Sequence, residues 1–65
     1  MKQAEAKEYI VDLWKEWLKN REGGDKYNDM TIFYLQLRRN HPELLTFRAA
    51  GDKWQTVKMW IQDYY

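Results

Sequence analysis

An all-α fold, a compact bundle of three to four helices with a helix-turn-helix-like C-terminal half, is the class this chain predicts. Three observations carry it. Apolar residues recur at helical spacing through most of the 65 residues; two glycine sites and one proline cut that pattern into helix-sized pieces; and no piece shows the strict alternation of a half-buried strand. One domain, 1–65, is what this length supports, and a domain so small buries only about 60% of the surface that its unfolded chain exposes.

The first segment, Gln3 to Glu22, carries Ala6, Ile10, Leu13, Trp14 and Trp17 on one helical stripe, widened by Val11 and Leu18, and reads as a long amphipathic helix. Glu8, Asp12, Lys15, Glu16 and Lys19 form its solvated face, with charge pairs three and four residues apart. Gly23-Gly24 ends it. After a polar connector, Asn28 or Asp29 is expected to cap a second helix, Asp29 to Asn40. Met30, Phe33, Tyr34 and Leu37 share its stripe, with Ile32 and Leu35 beside it, so this helix should be central. Pro42 disfavours helical geometry at His41 and suits the first turn of a third, short helix running to Ala49, anchored by Leu44, Leu45 and Phe47. Gly51 is expected as its left-handed C-terminal cap, and Asp52 as the N-cap of a fourth helix whose Val57, Trp60, Ile61 and Tyr64 align. The expected core is Ile10, Leu13, Trp17, Phe33, Leu37, Leu45, Val57, Trp60 and Ile61.

Composition narrows function. Hydrophobic content of 45% with 32% charged residues is a globular balance, and no apolar run approaches the roughly 20 residues of a membrane span. No basic flank leads into an apolar stretch at the N-terminus, so no signal peptide is expected; the lack of cysteine fits an intracellular, cytoplasmic setting. That lack also excludes disulfides and thiolate zinc, and His41 alone makes no imidazole site, so no metal or cofactor is expected. No Ser/His/Asp or Cys/His set and no phosphate-cradling glycine loop is present, and the carboxylates sit on charged helix faces. The chain is not expected to be an enzyme, and no small-molecule substrate is evident. Its end at Tyr64-Tyr65, still within the helical pattern, fits a domain cut from something longer.

The stretch 51–62 holds the clearest functional signal: a glycine turn followed by a helix with one apolar and one polar edge. Together with the third helix it resembles a helix-turn-helix, in which a tight turn leaves the outer face of the second helix free for the major groove. Ala49 and Ala50 permit close packing before the turn. Asp52 departs from the motif, which usually has an apolar residue there. Gln55, Thr56, Lys58, Met59 and Gln62 would face the groove, where glutamine, threonine and lysine can reach base edges or phosphates. Net charge is only +1, but from 26 to 58 six cations face three carboxylates. Arg38, Arg39, Arg48 and Lys53 are the expected phosphate contacts, while Asp52 and Asp63 flank the reading helix and would repel phosphate.

Val57-Lys58-Met59-Trp60-Ile61-Gln62-Asp63 also resembles the recognition helix of homeodomains, whose pattern there is Val-Lys-Ile-Trp-Phe-Gln-Asn followed by a basic run. The likeness covers seven residues, with Asp63 in place of the adenine-reading asparagine and Tyr64-Tyr65 in place of the basic run. It implies similar helix chemistry rather than membership. Pro42 to Ile61 is also similar to short bacterial or phage proteins, which implies no activity.

The expected function is therefore a small DNA-binding domain, with double-stranded DNA as partner and Arg38, Arg39, Arg48, Lys53, Gln55, Thr56, Lys58 and Gln62 at the interface. The alternative is a protein-interaction or self-association module, its partner a protein or a second copy in a homodimer. Its surface would combine Met59, Tyr64 and Tyr65 with Tyr9, Val11 and Leu18, because rigid aromatics anchor interfaces well. Plain structural roles exist for the same residues. The C-terminal hairpin can simply complete a core, and Arg38, Arg39 and His41 complement a helix dipole. Most of the four tryptophans fill the interior, with Trp54, off the main stripe, the best placed for stacking on a ligand.

Overall fold

The amphipathic N-terminal segment forms α1, Gln3–Lys19, and the central segment forms α2, Lys26–Asn40. A single 3-10 turn, Pro42–Leu45, and an irregular stretch lead to α3, Lys53–Ile61, which closes in a second 3-10 turn, Gln62–Tyr64. The computed structural model describes residues 2–21 and 24–64, and among these there are three α-helices and no strand. The bundle measures 32 × 20 × 18 Å.

Helix ends follow side-chain chemistry. Asn20 stops α1 by donating from Nδ2 to the Glu16 carbonyl at 3.2 Å, short of the expected Glu22, which lies outside the described residues, as does Gly23. The second helix starts earlier than expected: Asp25, not Asn28 or Asp29, caps it by accepting from the Tyr27 N–H at 3.0 Å. Asp29 has a different task. Its carboxylate is 1% exposed and takes a 2.7 Å charge-assisted hydrogen bond from Arg21 Nη2, joining the end of α1 to the start of α2. Gly24 sits in that joint at φ +118°, where a Cβ would lie 3.1 Å from the Asp29 carboxylate oxygens. Only glycine meets both demands.

The third helix expected from Pro42 to Ala49 is not an α-helix. Its backbone carbonyls take side-chain partners instead of a helical ladder: Thr46 Oγ1 donates to Glu43 at 2.8 Å, Lys53 Nζ to Leu45, and Gln3 Nε2 to Arg48. Leu44 and Phe47, both buried, pin this connection to the core. With no helix before it, Gly51 has no C-terminal cap to supply, and its φ is not in the left-handed region. Asp52 caps α3 as expected, accepting from the Trp54 N–H at 3.0 Å.

Ala6, Ile10, Trp14, Met30, Phe33, Leu37, Leu44, Phe47, Val57 and Ile61 form the buried core. Leu13, Trp17, Leu45 and Trp60, expected at its centre, are half-buried and pack against its edge. Large rings, rather than close backbone approach, join α1 to α2. Trp14 stacks on Trp17 at 5.6 Å and meets Phe33 edge-on at 5.1 Å. α3 buries Val57 and Ile61 in this core and packs on both α1 and α2.

Candidate interaction seam between the second and third α-helices

At about 100° per residue, Tyr27, Thr31, Tyr34, Leu35 and Arg38 fall within one third of the circumference of α2, next to the stripe that Met30, Phe33 and Leu37 bury. The flank of α3 facing this stripe carries Trp54 and Lys58. Trp54 packs on Tyr34 with ring centroids 4.9 Å apart, and the Lys58 ammonium lies 5.7 Å from the Tyr27 ring centroid. The start of α3 thus meets the middle of α2 and the middle of α3 meets the start of α2, so the two helices run antiparallel. Between them lies an open cleft of about 610 Å³, lined by Thr31, Tyr34, Leu35, Arg38, Leu45, Asp52, Lys53 and Trp54. Leu35 is 55% exposed at the cleft, and Tyr27, one turn before Thr31 on the same face of α2, is 66% exposed.

Of the eight residues expected to contact DNA, the cleft gathers Arg38 and Lys53. The Lys53 ammonium is drawn inward, bonded to the Leu45 carbonyl and 5.8 Å from the Phe47 ring centroid. Lys58 is half-buried against Tyr27, eleven residues and about three helical turns along α2 from Arg38. Arg48 lies in the irregular connection, where its carbonyl holds Gln3 at the far end of α1, and Arg39 is exposed in the last turn of α2. Gln55 is exposed on α3, Gln62 half-buried just after it and Thr56 half-buried; Met59 is exposed beside them, and Asp52 and Asp63 are exposed at the two ends. The cations therefore spread over three parts of the molecule.

The residues expected of an aromatic interface are also redistributed. Val11 is buried and Leu18 half-buried against the core, so neither offers free surface. Tyr64 folds back over α1 with its ring 4.7 Å from the Lys15 ammonium; Tyr9 and Met59 remain exposed, and Tyr65 lies outside the described residues. Tyr27 and Tyr34 were not among the expected site residues. Tyr34 falls on the core stripe of α2 by spacing, and the available signal in the sequence is Leu35, an aliphatic residue on the wrong side of that stripe.

Burial pushes the Tyr34 phenol above its usual pKa; the nearby Arg38 guanidinium opposes this, and the Asp52 carboxylate adds to it more weakly. The phenol stays protonated at neutral pH, a hydrogen-bond donor on the cleft floor. Asp52 spends an oxygen on the Trp54 cap, and among the described residues Arg38 has no ion-pair partner. No group of metal-ligating side chains is found among the described residues, and no helix is long and apolar enough to cross a membrane. Comparison of the chain with protein-family models, with curated proteins and with solved structures gives no match.

Proposed function

We propose that this chain is a protein-interaction module whose docking surface is the seam between α2 and α3. The observation that carries this reading is the contiguity of Tyr27, Leu35 and Arg38 with the Tyr34–Trp54 pair on one open face. A lone exposed leucine is ordinary. An exposed leucine in a stripe of tyrosine, tryptophan and arginine has the composition of an interface hot spot, where rigid rings lose little entropy on binding and arginine adds directed hydrogen bonds. Covering a leucine fully is worth about 1.5–3 kcal/mol, and roughly half of that surface is still open here.

Duplex DNA is the second reading, favoured by Gln55 and Met59 on the open face of α3. Against it stand the scatter of the expected phosphate contacts over α2, the irregular connection and α3, and the exposed carboxylates at both ends of α3. Backbone amide spectra separate the two. Peptides selected from a random display library against the folded chain are expected to move the amides of Thr31, Leu35, Arg38 and Trp54, and to lose the Leu35→Ser variant. If mixed duplex DNA at low salt moves Gln55 and Gln62 while no selected peptide touches the seam, the domain is a DNA binder and the interaction reading is abandoned.

A further inference from the structure

Resting on that reading, we infer that the partner segment is an acidic amphipathic helix of about three turns. Its form follows from the seam. Two antiparallel helices leave a furrow between their side-chain ridges, and a third helix is the element that fills such a furrow. No strand edge exists among the described residues for an extended peptide to join. The seam runs from the Tyr27–Lys58 contact to Arg38, eleven residues and about 16 Å of α2, the length of three helical turns, and the open cleft occupies its Thr31 to Arg38 part.

Its charge follows from what borders the furrow. Lys58 stands at the Tyr27 end, and Arg38 and Lys53 stand at the Trp54 end. Among the described residues Asp52 is the one carboxylate lining the cleft, and it already accepts the Trp54 N–H. Arg38 presents a guanidinium able to grip a carboxylate through two parallel hydrogen bonds, with the neutral phenol as a further donor beside it. Leu35, about one turn before Arg38, meets the apolar stripe of the incoming helix. Acidic residues flanking a leucine stripe complement this arrangement, and lysine in the same places would meet like charge at both ends.

The test uses the full chain and two synthetic 16-residue helices. Both carry leucine at i, i+3, i+4 and i+7; one has glutamate at the flanking positions and the other lysine. Titration calorimetry and amide shifts are expected to show the acidic helix bound at Leu35 and Trp54, about tenfold or more tighter than the basic one, with the gap closing as salt rises. Arg38→Glu, at an exposed site, is expected to keep the parent melting temperature and to reverse or erase the preference. Equal binding of both helices at the seam overturns the inference about charge while leaving the seam as an interaction surface. Binding of neither, with library-selected peptides still moving the seam, overturns the helical acidic partner alone; failure of those peptides too overturns the seam. Concentration-dependent self-association that protects Leu35 assigns the surface to a second copy and also overturns the inference.

Discussion

Two aromatic assemblies in this molecule are built of similar parts and meet different fates. At one end of α1, Trp14 and Trp17 stack with planes 17° apart, Phe33 closes on both, and Trp14 is 0% exposed. The edge of that cluster is tied down: Trp17 Nε1 donates to Gln36 Oε1 at 3.1 Å, and the Arg21 guanidinium lies 4.6 Å from the Trp17 ring centroid. At the α2–α3 seam, Tyr34 and Trp54 meet at 4.9 Å with planes 45° apart and remain half-buried beside exposed Leu35. The difference lies in what is available to cover them. α1 has seventeen residues and lays a full stripe against the rings of α2, whereas α3 has nine and is preceded by an irregular connection that packs inward through Phe47. Ring content alone does not make a core. An opposing surface of sufficient length does.

The largest expected effect tests the closed cluster. Trp14→Ala should cost about 3–5 kcal/mol and unfold a domain of this size, whereas Trp54→Ala should cost about 1–2 kcal/mol and leave it folded. Urea titration followed by helical circular dichroism separates them, and equal losses would mean that the seam is core after all. Next comes the joint that holds the α1–α2 end shut. Asp29→Ala removes the acceptor of the Arg21 bond and is expected to cost about 1.5–3 kcal/mol, with faster amide exchange in the first turn of α2. Unchanged exchange there would place the strength of the closed end in the rings alone.

At the open end the loss should be smaller. Asp52→Ala deletes the cap on Trp54 at a cost of about 1 kcal/mol, read as a lowered melting temperature, while Asp52→Asn should retain most of it. The smallest effect is the most telling for function: Leu35→Ser should change stability by no more than about 0.5 kcal/mol while abolishing peptide binding at the seam. Marked destabilisation by Leu35→Ser would show that its exposed side chain already has a structural task.

Much of the fold was legible. The stripes Ala6-Ile10-Trp14 and Met30-Phe33-Leu37, and the pair Val57-Ile61, are the buried faces of the three α-helices, and Asp52 caps α3 as its position suggested. The third helix was misread because Pro42 followed by Glu43, Leu44 and Leu45 is a sound helix start, and nothing nearby announces that Thr46, Lys53 and Gln3 will take the carbonyls a helix would use. The candidate site was legible only in pieces. Arg38 and Lys53 stood out as cations and Trp54 as the tryptophan off its stripe, but Tyr34 belongs equally well to a core stripe and to an open seam.

Helix periodicity, the Asp52 cap and the break at Pro42 are effects among residues within a few positions of one another, so the order of residues carries them directly. Which apolar flank stays uncovered depends on contacts across the chain: Gln3 with Arg48, Arg21 with Asp29, Trp54 with Tyr34. Each of those pairings satisfies a polar group or fills a volume that no local pattern specifies. The exposure of the Tyr27–Leu35 stripe is what remains once α3, at nine residues, has buried Val57 and Ile61 in the common core.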